Sequence, residues 1–436
     1  MKRALPLLPL FFLGAAVAGL SAVAACTTST TAASGMPPCA VQTTLTNRCQ
    51  TCHSDPPKFG APMPLVTRAD LLAKSTRDGS KTYAERAVVR MRDPQSPMPQ
   101  APNPRAPESE IAAFESWIAA GTPENTAQCA VPPTDASAPL PEDKLACPPD
   151  VTLKPPTPFE MPQDVEDEYV CYGVDLPGTA QKRHVIGLDA KIDNASIVHH
   201  ILVFESPTTE SGTPHKCKDI FPLDWKLIYA WAPGTKPYNL PAEAGYPLDP
   251  GTTTHYVVQL HYSNIKKVAG QKDSTGVSLC TTTDLRKNDA DLIAVGGASF
   301  SLPPKAKTTI ECSLKIPQNP DKFPITVFRG WPHMHQLGAS LSTKVLRPDG
   351  SSASLGEIAQ WDFYNQIGYP MNVKVASGDT VVTRCTWNNT TNERVGFGER
   401  TGDEMCYNFV TYYPKTNLQA FSGVLPASIS QCKVVP

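Results

Sequence analysis

Apolar and polar positions along most of the chain beyond residue 160 follow a strand pattern. The stretches 185–189, 197–204, 254–262, 325–329, 339–346 and 379–387 are rich in Val, Ile, Thr, Leu and aromatic residues, and turn signals such as Asp-Asn, Ser-Pro and Pro-Asp-Gly separate them. That pattern predicts antiparallel strands and hairpins. Residues 108–121 behave differently, with apolar positions at helical spacing and a closing Gly121, and they predict an amphipathic helix. Two stretches break the pattern. Residues 26–36 are rich in Thr, Ser and Ala and read as a tether, and residues 131–158 are rich in Pro, Ala and Asp and read as a semi-rigid linker. The expected organisation is a small helical unit at 37–130 and two β units at 159–290 and 291–436.

Length and composition fit this division. At 436 residues the chain has room for several domains, and its 45 prolines suit a β-rich fold with ordered loops. The net charge of −2 gives no basis for a nucleic-acid partner. Thirteen cysteines outside zinc-finger spacings suit an oxidising compartment. Lys2 and Arg3 precede an apolar run over 5–23 with the proportions of a secretory signal, so residues 1–25 are expected to be a signal peptide. Val-Ala-Ala-Cys at 23–26 resembles a bacterial lipobox. Cys26 is then the lipidated first residue of a mature protein exported to the cell envelope and anchored to its membrane.

The helical unit carries the first chemistry. Cys49-Gln-Thr-Cys52-His53 has the C-x-x-C-H spacing of covalent haem c attachment. Two thiols one helical turn apart can add to the haem vinyls, and the adjacent imidazole is placed to bind iron. The unit is therefore expected to be a small all-α cytochrome c-like domain. Its other iron ligand is expected to be Met98, in a Ser-Pro-Met-Pro-Gln loop, with Met63 and Met91 as competitors. Cys39 and Cys129 bracket the unit and could clamp its ends.

The β units carry histidines. Residues 331–338 (Trp-Pro-His-Met-His-Gln-Leu-Gly) follow an apolar strand, and residues two apart on a strand project from one face, so His333 and His335 can reach one metal ion. His199 and His200 are adjacent on another strand pattern and would point to opposite faces unless a bulge or strong twist intervenes. His261 shares one face of its strand with His255, Val257 and Gln259. His184, His215 and His255 are read as structural or surface residues. Met405 sits in a polar loop opening an aromatic strand, where a thioether suits Cu(I) and imidazoles suit both copper oxidation states. A bridge from Cys406 to Cys385 would hold that loop, and a Cys312–Cys432 bridge would tie down the C-terminus.

Four of these pieces, Val198-His-His, Leu260-His-Tyr, His333-x-His335-x-x-Gly and Asp403-Glu-Met-Cys406, occur in the order found in one family. Over roughly 165–432 the chain resembles the copper type II, ascorbate-dependent monooxygenases, the family of peptidylglycine α-hydroxylating and dopamine β-monooxygenases. The resemblance implies two successive antiparallel jelly-roll (β-sandwich) domains and two copper ions per chain. It assigns His199, His200 and His261 to an electron-transfer copper. It assigns His333, His335 and Met405 to the oxygen-binding copper, and it suggests a Cys171–Cys280 bridge. The implied reaction hydroxylates an activated C–H bond of a small organic substrate with O2. The family's animal members take electrons from ascorbate; here the fused haem, or a periplasmic redox protein, could supply them. The alternative is a non-catalytic exported copper-binding or electron-transfer lipoprotein. Trp331, Tyr407 and Phe409 replace the groups with which the peptide-amidating branch grips a carboxylate, which disfavours peptide amidation. These aromatics are compatible with an apolar or aromatic substrate, as cleft walls or as core.

Overall fold

The structure is a computed structural model. It describes residues 35–435 except 94–96, 101–102, 104, 126–128, 130–143, 219–221, 223, 320, 362, 364–367, 399–401 and 417–430. Cys26, the signal segment and most of the tether lie outside the described residues.

The N-terminal unit contains helices over Cys39–Thr44, Arg68–Leu72, Tyr83–Arg92 and Glu108–Ala119, with a wider helical turn over Leu45–Cys49. Thr67 and Thr82 begin two of the helices with reciprocal capping boxes, each hydroxyl accepting from the backbone N–H three residues on. The spacing of Ile111, Phe114 and Trp117 places all three in one core with Val41, Leu45, Leu71, Tyr83 and Met91. Cys39–Cys129 closes the unit as expected. No described helix is long and apolar enough to cross a membrane.

Beyond residue 150 the chain is built from β-strands. One sandwich pairs a six-stranded sheet with a five-stranded sheet, the latter holding Asp167–Leu176, Thr254–Ser263 and Val198–Ser206 as neighbours. The second sandwich sets a four-stranded sheet, including Ile325–His333 and Tyr407–Tyr413, against a five-stranded one. Alternation along each strand supplies the inward faces: Val170 and Tyr172 face Val185, Leu188 and Leu279 in the first core. That core continues into the second sandwich through Phe328, Trp331, Met405, Tyr407 and Phe409. At the junction the Arg329 guanidinium lies 4.2 Å above the Tyr238 ring.

Two expectations change. The stretch read as a linker lies outside the described residues only as far as 143. After that, Val151–Leu153 forms an edge strand paired with Gly276–Thr282, and the buried Tyr172 hydroxyl, 3.3 Å from the Leu153 carbonyl and 2.9 Å from that of Thr275, ties this edge to the core. The Cys171–Cys280 bridge is absent. Cys171 joins Cys217, and Cys280 joins Cys147. Strand alternation explains the correction. Val170 and Tyr172 point into the sandwich, so Cys171 points outward to a separate cluster with Cys217 and Val257. On the opposite sheet Leu279 likewise points inward and Cys280 outward, so the sulfurs of Cys171 and Cys280 lie on opposite outer faces. Cys312–Cys432 and Cys385–Cys406 form as expected.

Non-reducing peptide mapping should recover Cys171 with Cys217 and Cys147 with Cys280. A Cys171–Cys280 peptide pair would contradict this register.

Candidate metal centre

The vicinal histidines are brought together by a defect in the ladder. Along the pair of strands Val198–Ser206 and Thr254–Ser263, His261 opposes His200 and Tyr262 opposes Val198, which leaves His199 as the extra residue of a β-bulge. The bulge turns two neighbouring side chains toward one point. The ligand nitrogens of His199, His200 and His261 lie within 4.8 Å of one another, and the Nδ1 atoms of His199 and His261 are 3.1 Å apart.

The surroundings suit these rings to a cation. His261 Nε2–H donates to Asp167 Oδ1 at 3.1 Å, which leaves the lone pair on Nδ1, the atom facing His199. This hydrogen bond is the main reason the Asp167 carboxyl is held below its usual range. Tyr169 stacks on the same ring at 4.4 Å and fixes its plane. Burial lowers His199 to about 4 and pushes His200 well down, so both rings stay neutral, as metal ligands must.

A second pair lies at the end of Ile325–His333 in the other sandwich. The rings of His333 and His335 are 5.1 Å apart and nearly perpendicular. His333 opposes Tyr407 across the ladder, and Trp331 opposes Phe409. Met405 lies two residues before Tyr407, on the loop that leads into that strand. Loop 403–406 holds the pair in place: the Asp403 carbonyl accepts from His335 Nδ1–H at 2.9 Å, which leaves Nε2 as that ring's lone-pair atom. The Glu404 carboxylate accepts from the backbone N–H of His335 and Leu337 and from the Trp387 indole, at 2.9, 2.6 and 2.8 Å. Burial outweighs those donors and pushes its carboxyl up to about 7. The Cys385–Cys406 bridge anchors the far side of the loop. Met405 is 0% exposed, and the histidines 8% and 4%.

Other candidates resolve differently. Trp331, Tyr407 and Phe409 belong to the shared core, although the Phe409 ring also lies 5.9 Å from that of His333. His184 is buried, with Nε2 on Asp289 and Nδ1 accepting from Arg286 N–H, and His255 pairs with Asp175. Asp167 and Glu404 carry supporting roles that residue type and spacing did not disclose; Glu404 is next to Met405 in sequence, whereas Asp167 meets His261 only through the pairing of their strands.

In the helical unit, Cys49 and Cys52 are free thiols, whereas every other described cysteine is in a disulfide. His53 Nδ1–H donates to the Met63 carbonyl at 2.9 Å, which directs Nε2 away from Met63. That geometry is compatible with the haem site expected of the C-x-x-C-H spacing. Met91 is buried in the helical core at 3% exposure, and Met98 is half-buried on the loop beyond that helix.

Two outcomes follow. Glu404→Ala leaves three buried donors without an acceptor and should cost about 3 kcal/mol or more, read from the urea midpoint; an unchanged midpoint would contradict this role. In metal-free protein the folded His199 sits at about 4 against an ordinary 6.5. The unfolded chain therefore takes up the proton first, and stability should fall as pH drops through that window. Urea midpoints that stay flat there would contradict the burial of these rings.

Residues 156–269 match the profile described as "Copper type II ascorbate-dependent monooxygenase, N-terminal domain", and residues 288–430 match its C-terminal domain. Dopamine beta-hydroxylase of Rattus norvegicus is 31% identical over 306 residues, covering 63% of this chain and 48% of the relative. Tyramine beta-hydroxylase of Caenorhabditis briggsae is 30% identical over 290 residues, covering 61% and 48%. DBH-like monooxygenase protein 1 of Homo sapiens is 28% identical over 283 residues, covering 59% and 46%. The chain thus spans about half the length of the curated relatives it matches. With both domain profiles matched in order over more than half its length, the chain belongs to the copper type II ascorbate-dependent monooxygenase family.

Proposed function

We propose that this protein is a copper-dependent monooxygenase that hydroxylates an activated C–H bond of a small organic substrate with O2. The observation that carries the reading is the convergence of His199, His200 and His261 at a bulge, with a second histidine pair in the following sandwich. In this reading the three histidines hold the electron-transfer copper, and His333, His335 and Met405 hold the copper that meets oxygen. Copper bound at these residues supplies one-electron steps and activation of dioxygen.

The chain's own residues prepare both sites. Asp167 keeps His261 in the tautomer that offers Nδ1. Asp403 and Glu404 fix the ring and backbone of His335 next to Met405. Met405 supplies a soft sulfur donor, and its burial keeps water from competing for that position. Dopamine and tyramine, named in the relatives, are the first substrates to assay.

The helical unit completes the reading as a cytochrome c-like domain that feeds electrons to copper. Cys49 and Cys52 would attach haem c, and His53 and Met98, the latter on its Ser-Pro-Met-Pro-Gln loop, would be the residues that hold the iron. Histidine–methionine ligation raises the iron potential toward the range of copper. Residues 1–25 act as the signal peptide, and Cys26 carries the lipid anchor at the bacterial cell envelope, with a periplasmic reductant or ascorbate reloading the haem.

Met405→Ala should abolish hydroxylation while the haem absorption spectrum stays intact; retained turnover would remove Met405 from the oxygen site. Asp167→Asn should weaken copper binding at the three-histidine site by about 10–100-fold, measured by competition with a chelator. Unchanged affinity would show that the Asp167 hydrogen bond does not tune the site.

A further inference from the structure

The helical unit touches the first sandwich next to the three histidines. The loop that follows the C-x-x-C-H motif runs back along it: Lys58 N–H donates to the Cys52 carbonyl at 2.8 Å. The next residue, Phe59, donates its N–H to the Ala195 carbonyl, in the turn that leads into the His199 strand. The Phe59 ring meets Trp231 edge-on at 5.7 Å, and Trp231 pairs with Ile201 on the strand carrying the vicinal histidines. Gly60 then lies against the site itself. A Cβ there would fall 3.1 Å from Ser263 Cβ and 3.8 Å from His199 Cδ2. Its φ of +72° is a second reason for glycine at this position.

The contact has further support. Asn103, on the segment after Met98, donates its side-chain N–H to the Pro233 carbonyl at 2.9 Å. Lys266 of the sandwich lies within electrostatic reach of both His53 and Asp55. Segments beyond both expected iron ligands therefore reach the same sandwich, and the segment from Cys52 ends at Gly60, less than a side chain's width from the His199 ring.

We infer that loop 55–60 is the contact through which an electron passes, within one chain, from the C-x-x-C-H unit to the three-histidine site. The inference rests on the haem and copper reading above and names its route. From the Cys52 carbonyl the path crosses one hydrogen bond to Lys58, follows the backbone to Gly60, and crosses the short gap, narrower than one side chain, that separates Gly60 from the His199 ring. One electron leaves Fe(II), giving Fe(III), and reduces Cu(II) to Cu(I). No proton or bond is exchanged. A one-electron reductant, such as ascorbate or a small redox protein, returns the iron to Fe(II).

The test uses the full chain loaded with haem and copper. A laser-generated one-electron reductant reduces the haem anaerobically, haem absorbance is followed in time, and the Cu(II) paramagnetic resonance signal is measured afterwards. The expected result is a haem reoxidation phase whose rate is independent of protein concentration, with matching loss of Cu(II) signal. Gly60→Val and Phe59→Ala should each slow that phase several-fold while leaving the haem spectrum and copper content unchanged. Unchanged rates in both variants, or a wild-type rate that scales with protein concentration, would overturn the route while leaving both centres standing. A wild-type chain with no c-type haem spectrum would overturn the haem reading itself, and the route with it.

Discussion

A single extra residue in one antiparallel ladder governs the first candidate metal centre. Adjacent residues on a regular strand point to opposite faces, so His199 and His200 could not both meet His261 in an unbroken ladder. The bulge at His199 removes that constraint and aims both imidazoles at the neighbouring strand. The rest of the centre depends on this feature: Asp167 sets the tautomer of the third ring, and Tyr169 sets its plane. Burial that keeps the rings neutral would be a cost in a protein without a cation at this point, because neutral nitrogens crowded together repel unless a proton or a metal lies between them.

The second centre is built by a different device. There the strand ends at His333, and the loop ahead of the paired strand holds His335 by its backbone N–H and its ring. Glu404 is the keystone of that loop, taking hydrogen bonds from the backbone of His335 and Leu337 and from a buried indole. A disulfide on one flank and a shared aromatic core on the other leave Met405 little freedom. The core that encloses it is continuous between the two sandwiches, so the centres sit in one packed body.

Much of this was legible in the sequence, for identifiable reasons. Strand alternation pointed to His333 and His335 as a pair and to the β character beyond residue 159, because a period of two leaves a plain signature. The C-x-x-C-H spacing marked two cysteines that stay free while the other described cysteines pair. The vicinal histidines posed a contradiction that required a bulge, and residue type alone does not show where a ladder slips. The Cys171 pairing was misread because a bridge implied by resemblance carries no facing information, whereas alternation about Tyr172 does. Trp331, Tyr407 and Phe409 looked equally suited to a cleft or a core, and only long-range packing decided for the core. The approach of Gly60 to His199 joins residues far apart in sequence and left no local trace.

The claim on which the functional reading depends is that two separate copper ions are held by two disjoint ligand sets. Quantitative metal analysis of the copper-reconstituted protein, beside a His199→Ala/His261→Ala variant shown to be folded, tests it most directly. Two coppers per chain in the wild type and one in the variant are expected. One copper or none in the wild type, or two retained in the variant, would contradict the two-centre reading.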